Sequence, residues 1–99
     1  MRVLSRKPLA EFWLRHPSAE IPLRAWYRES VRAAWKSFAD LREDFPSADL
    51  VGKCVVFNIS GNSYRLICRV NFESMHVLVR WVGNHAEYDK IKVQDICEP

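Results

Sequence analysis

Residues 54–72 read CVVFNISGNSYRLICRVNF, two strands and the turn between them. Val55, Phe57 and Ile59 alternate with Cys54, Val56 and Asn58, the period of two that a half-buried strand requires. Ser60-Gly61-Asn62-Ser63 supplies the turn, because Gly61 and Asn62 both tolerate positive φ. A two-residue hairpin turn there predicts the register. Ile59 should face Tyr64, Phe57 should face Leu66, and Val55 should face Cys68, all on one side of the sheet. Asn58 opposite Arg65 and Val56 opposite Ile67 then occupy the other side.

The pattern extends in both directions. Residues 64–72 continue as a strand with Tyr64, Leu66, Cys68, Val70 and Phe72 on the apolar side, and Glu73-Ser74-Met75 returns the chain. Strict alternation then places Val77, Val79 and Trp81 on the apolar face, and Leu78, Arg80 and Val82 beside Arg65, Arg69 and Asn71. Toward the start, MRVLSR fits a short strand. LAEFWLR after Pro8 fits a short helix that ends at His16-Pro17. A second helix is expected from Ser18 or Ala19 to Ala34 or Lys36, with Leu23, Trp26, Tyr27, Ser30, Val31, Ala34 and Trp35 at i, i+3, i+4 spacing. SFADLREDF fits a third helix, stopped by Pro46. The fold class is therefore α+β: N-terminal helices packed on one face of an antiparallel sheet, in one domain spanning residues 1–99.

With 48% hydrophobic and 27% charged residues, the chain is not disordered by composition. No apolar run reaches the roughly 20 residues of a membrane helix. MRVLSRKPLAEFWLRH is interrupted by charge and lacks the apolar stretch of a leader, so a cytoplasmic location is expected. Cys54, Cys68 and Cys97 are widely spaced and form no Cys-x-x-Cys, which predicts separate buried thiols on strands. The net charge is +3, and ten of the fifteen basic residues are arginines. Arginine's planar fork suits bidentate phosphate contact, so an anionic partner such as nucleic acid is indicated.

Arg65, Arg69 and Arg80 fall on adjacent strands of one face, where like charges are mutually destabilising unless something negative meets them. GNHAEYDK, residues 83–90, leaves the last strand at that face and adds His85, Tyr88 and Lys90 at its rim. Asn58 and Asn71 can add neutral hydrogen bonds. The set suits metal-free RNA cleavage, which needs a base for a ribose 2′-hydroxyl, cations for the phosphorane and a proton donor for the leaving oxygen. Arg65, Arg80, His85, Tyr88 and Lys90 are the candidate catalytic residues. Arg69, Asn58 and Asn71 are candidate RNA contacts, and no metal or cofactor is expected. His85 is the first choice of general base, with Lys90 and Tyr88 as rivals.

VFNISGNSYRL (56–66) and GNHAEYDKI (83–91), together with MRVLSRKPLAEFW (1–13) and LRAWYRE (23–29), resemble the HigB toxin family, mRNA interferases within the RelE superfamily. The resemblance runs over nearly the whole chain. His85-x-x-Tyr88-Asp89-Lys90 matches the family's C-terminal motif, and Arg65 its Asn-x-Tyr-Arg element. It implies a RelE-like fold, endoribonuclease activity on mRNA, in much of the superfamily on translating ribosomes, and neutralisation by a helix-turn-helix antitoxin of the HigA kind. RelE itself relies on strand lysines that this chain lacks, Lys53 being the one lysine near the strands.

Two other function classes fit the same residues less fully. A non-catalytic single-stranded RNA-binding domain would use the arginines for phosphate contact alone. A pure protein-interaction domain would leave the arginine face unexplained. His16 before a proline and His76 in a hairpin fit structural roles, and Trp13, Trp26 and Trp35 fit core or interface positions.

Overall fold

The computed structural model describes residues 1–97; the last two residues of the expected 1–99 domain lie outside it. Five strands, β1 (Arg2–Leu4), β2 (Asp49–Val51), β3 (Cys54–Ile59), β4 (Tyr64–Asn71) and β5 (His76–Asn84), form one sheet in the order β1-β5-β4-β3-β2. The helices are α1 (Lys7–Arg15), α2 (Glu20–Arg32), α3 (Phe38–Asp44), α4 (His85–Tyr88) and α5 (Val93–Cys97), with a single 3-10 turn at Pro17–Ala19 before α2. No helix among the described residues is long and apolar enough to cross a membrane.

The α+β class stands, with one addition to the expected antiparallel sheet. β2 to β5 are antiparallel, but β1 pairs parallel with β5, Val3 lying beside Val77. The β3–β4 register is the one the hairpin reading predicts, from Ile59↔Tyr64 through Asn58↔Arg65 to Val55↔Cys68. The turn itself sits one residue earlier than expected. Positive φ falls at Ser60 (54°) and Gly61 (65°), and the Ser63 N–H donates to the Ser60 carbonyl at 3.2 Å.

The helices α1, α2 and α3 bury one face of the sheet. Leu9 and Phe12 of α1, Leu23 and Trp26 of α2, and Leu41 of α3 close over Val55, Phe57, Leu66, Cys68, Val77 and Val79. Trp26 and Phe45 both meet the Phe57 ring edge-on, at 5.4 and 5.1 Å between centroids. Edge-to-face geometry at that spacing adds to the area term, which is about 1.5–3 kcal/mol for each fully buried large apolar side chain. Ser37 caps α3 by accepting from the Asp40 N–H at 3.2 Å. The Ser18 and Tyr64 hydroxyls share a hydrogen bond that pins the 3-10 turn to the start of β4.

The opposite face departs from the sequence reading. β4 and β5 shift register between Ile67 and Cys68: Cys68 pairs with Val79, whereas Ile67 pairs with Trp81. Arg80 is the extra residue of a β-bulge, and a bulge reverses the alternation beyond it. Val82, expected beside the arginines, therefore pairs with Leu66 on the helical core. Trp81, expected in that core, faces the other way with Ile67.

That second face is covered rather than open. Residues 88–97 fold back over it, and Cys54, Val56, Ile67, Val93 and Cys97 make a second small apolar cluster flanked by Trp81, Tyr88 and Ile96. The cysteine expectation is corrected here. Cys54 of β3 and Cys97 of α5 are joined by a disulfide with Cα atoms 5.8 Å apart, and Cys97 is helical. A separation of 43 residues hides this pairing from any local pattern. Cys68 is the buried thiol expected, and burial pushes its pKa well up, which leaves it unreactive.

Closing a loop of this length is worth about 4 kcal/mol in the chain-entropy picture. Cys97→Ser should thus lower the thermal midpoint of the oxidised protein. Dithiothreitol should bring the wild type down to the variant's midpoint and leave the variant unmoved. Equal midpoints for oxidised wild type and variant would show that the bond carries no stability.

Candidate functional site

The site is built at one end of the sheet, where β4 begins and β5 ends. Tyr64 pairs with Asn84 and Arg65 with Gly83, so the exit of β5 lies beside the Ser60–Ser63 turn. The His85 N–H donates to the Ser63 carbonyl at 3.2 Å, which ties the imidazole's backbone to that turn. Asn84 then starts α4 through a capping box. Its side-chain oxygen accepts from the Glu87 N–H at 2.8 Å, and Glu87 Oε1 accepts from the Asn84 N–H at 2.9 Å. Two of the polar residues of GNHAEYDK thus serve to turn the chain and aim the rest.

That cap fixes which side chains face one another. His85 and Asp89 are four apart, and His85 Nδ1 lies 3.2 Å from Asp89 Oδ2. With Nδ1 facing the carboxylate, Nε2 is the ring nitrogen left for other contacts. Both side chains are more than half exposed, at 53% and 60%.

Arg65 is held from three directions. Its Nη1 donates to the carbonyls of Asn62 at 3.1 Å and Tyr64 at 3.3 Å, and its guanidinium carbon lies 5.5 Å from the centre of the Tyr88 ring. Tyr88 in turn leans on Trp81, ring centres 6.3 Å apart. Gly83 makes this stack possible. A Cβ there would lie 2.3 Å from Trp81 Cη2 and 2.6 Å from Cζ2, so the indole passes over bare backbone beside Arg65's strand position. The stack runs Gly83, Trp81, Tyr88, Arg65.

The predicted site residues divide on this geometry. Arg65 and Tyr88 are in contact, and His85 follows two residues after Gly83, the β5 partner of Arg65, with Asn58 paired to Arg65 on β3 and Lys90 exposed in the turn after α4. Arg80 shares their face but not their end. Gly83, opposite Arg65, is three residues further along β5, about 10 Å at strand rise. The Arg80 guanidinium donates to the Ile96 carbonyl through Nε at 3.2 Å and Nη2 at 3.0 Å, which ties α5 to the bulge. Arg69 lies further still, opposite Cys54 and Leu78. Asn71 is at the far hairpin, where its side-chain oxygen accepts from the N–H groups of Glu73 and Ser74. Its carbonyl oxygen is thereby used in forming the turn.

Asp89 and Gly83 were not among the sequence candidates. The i, i+4 spacing of His85 and Asp89 was the available signal for the first. Nothing local signals the second, since Gly83 matters through a ring two residues away. Among the described residues no three His, Cys, Asp or Glu side chains converge as a metal site would require.

The chain is similar to known proteins over most of its length. A family model described as "HigB_toxin, RelE-like toxic component of a toxin-antitoxin system" matches residues 19–91. A protein named mRNA interferase HigB from Escherichia coli O6:H1 strain CFT073 is 30% identical over 94 residues, covering 92% of this chain and 91% of that protein. The mRNA interferase toxin HigB of Escherichia coli K12 is 32% identical over 92 residues, covering 90% of this chain and 88% of that one. A protein named mRNA interferase HigB from Shigella flexneri matches to the same extent, 32% over 92 residues. The family match ends before Val93, so the helix carrying Cys97 lies beyond it.

Gly83→Ala should push the Trp81 ring off the strand and carry Tyr88 with it. The expected cost is about 1–3 kcal/mol, as for overpacking elsewhere, read as a lower denaturation midpoint. Shortening the ring in Gly83→Ala/Trp81→Leu should recover part of that loss. A single variant as stable as wild type would mean that the indole does not lie across Gly83.

Proposed function

The chain belongs to the HigB toxin family, the RelE-like toxic components of toxin–antitoxin systems, and on that premise we propose that it is an endoribonuclease that cleaves mRNA at the Arg65–Tyr88–His85 end of the sheet. The observation that supports this reading is the Arg65 guanidinium, restrained against Tyr88 at the end of the sheet where β5 passes into the short helix that pairs His85 with Asp89.

The chemistry follows from those two groups. His85 Nε2 takes the proton of a ribose 2′-hydroxyl, while Asp89 holds the ring and stabilises the imidazolium that forms. The 2′-oxygen bonds to the adjacent phosphorus, and the bond from phosphorus to the 5′-oxygen breaks. The departing oxygen receives a proton from Tyr88 or Lys90. The products are a 2′,3′-cyclic phosphate and a 5′-hydroxyl. Arg65 meets the negative charge that gathers on the phosphorane. Its contacts to the Asn62 and Tyr64 carbonyls and the Tyr88 ring fix it before substrate arrives, so little reorganisation is needed during reaction. Asn58, beside Arg65, adds a neutral contact to the strand of RNA. Arg69 extends the positive face away from the reacting phosphate and serves longer substrates.

The reaction proceeds without a metal ion, on mRNA engaged with the ribosome, in the cytoplasm. A helix-turn-helix antitoxin neutralises it. The capping box sets the start of α4, and the His85 N–H to Ser63 carbonyl bond ties that start to the Ser60–Ser63 turn.

Cleavage of free RNA should persist in EDTA, and cleavage on translating ribosomes should be seen in the Mg²⁺ that holds them together. His85→Gln should slow it by about 10²–10⁴-fold and Arg65→Ala by about 10²–10³-fold, with unchanged circular dichroism. A 2′-deoxy nucleotide at the cleaved position should stop it entirely. Wild-type rates in both variants would remove this site from the chemistry. Retarded RNA without any product, with ribosomes present, would make the protein a binding domain instead.

A further inference from the structure

The helical side of the molecule carries a second feature that RNA cleavage does not use. α1 and α2 leave a cavity of about 300 Å³ between them, lined by Arg6, Lys7, Ala10, Trp13, Arg24 and Tyr27 among others. Its base is aromatic and its rim is cationic. The Arg24 guanidinium lies 4.8 Å from the Trp13 ring centre, and Arg6 lies 4.7 Å from that of Tyr27 while donating to its hydroxyl at 2.7 Å. Two aliphatic side chains flank it in the open. Leu14, one turn beyond Ala10 on α1, is 78% exposed, and Ile21, one turn before Arg24 on α2, is 80% exposed. Exposed aliphatics beside a lined groove mark a contact surface more than scattered ones do.

We propose that this groove is the docking site of an acidic amphipathic helix from a protein partner, which, resting on the toxin reading above, is the antitoxin. Three observations select that occupant. Leu14 and Ile21 offer apolar contact that RNA has no use for, whereas a helix laid in a groove presents apolar side chains at i, i+3 and i+4. The segment from Arg6 to Arg32 holds six basic residues against three acidic ones, so a second copy of this chain would set like charges facing each other. Beyond the aromatic contacts of Arg24 and Arg6, the ion pairs at the rim are exposed and local, Lys7 with Glu11 and Arg24 with Glu20. Such pairs are weak enough to exchange for a partner's carboxylates. The groove is on the helical side of the sheet and the Arg65–His85 end belongs to the other face, so each can be altered without the other.

The test uses the full chain and a purified helix-turn-helix antitoxin of the HigA kind, with affinity and RNA cleavage measured on the same preparations. Leu14→Asp/Ile21→Asp should weaken antitoxin binding by roughly tenfold or more and leave cleavage and the denaturation midpoint unchanged. Arg24→Glu should weaken binding at low salt, with the deficit shrinking as salt rises. Arg65→Ala should bind the antitoxin as wild type does, so loss of the nuclease reading and loss of the docking reading are separately visible. Wild-type affinity in the double and Arg24 variants overturns the proposal. So does a wild-type chain that binds no antitoxin, a double variant that loses RNA rather than antitoxin, or one that merely breaks a homodimer.

Discussion

One extra residue in β5 governs what the two faces of this sheet present. With strict alternation, Trp81 would enter the helical core and Val82 would stand among the arginines. The bulge at Arg80 reverses both. Val77, Val79 and Val82 all reach the large core, while Arg80 and Trp81 both turn toward the C-terminal segment. Trp81 then supports Tyr88, Tyr88 supports the Arg65 guanidinium, and Arg80 holds the Ile96 carbonyl of α5. The candidate site and its supporting cluster thus follow from a single local insertion in the ladder.

The second cluster is small, and its cohesion is correspondingly layered. Five buried side chains cannot supply what the helical core does. The Cys54–Cys97 bond and the Arg80–Ile96 contact fasten the same short helix from two sides. The site proper sits at the edge of this cluster, where Arg65 and His85 remain accessible. An accessible guanidinium keeps a fixed place only if other groups restrain it. Here the restraints are two carbonyls and a ring, none of which a substrate phosphate needs to displace. That arrangement reconciles exposure with preorganisation.

Much of this was legible before any coordinates. Alternation in Cys54–Ile59 and the Gly61-Asn62 turn predicted the β3–β4 register residue by residue, and with it the pairing of Asn58 and Arg65. Proline positions and apolar spacing predicted α1 to α3. Alternation failed where it was extrapolated through Arg80, because a bulge leaves no mark in a run such as VLVRWV. The short strand β2 and the helix α5 were missed because three and five residues give periodicity too little to show. The spacing of Asn84 and Glu87 spells a capping box that the sequence reading did not use, and Asp89 lies one helical turn from His85, a pairing that reading did not draw. Asn71 illustrates the reverse case, a polar residue on the right face whose side chain forms a turn at the wrong end of the strand.

The account's centre is the meeting of a ribose-phosphate step with Arg65 and His85, supported by Trp81 and Tyr88. Titrating the isotopically labelled protein with an oligonucleotide made uncleavable by 2′-deoxy substitution tests it most directly. The largest NMR shift changes should fall on the Arg65 side-chain Nε–H, the His85 ring, the Tyr88 ring and the Asn62–Ser63 amides. Changes confined to the α1–α2 surface or the Asn71 hairpin, with the Arg65 and His85 signals unmoved, would contradict it.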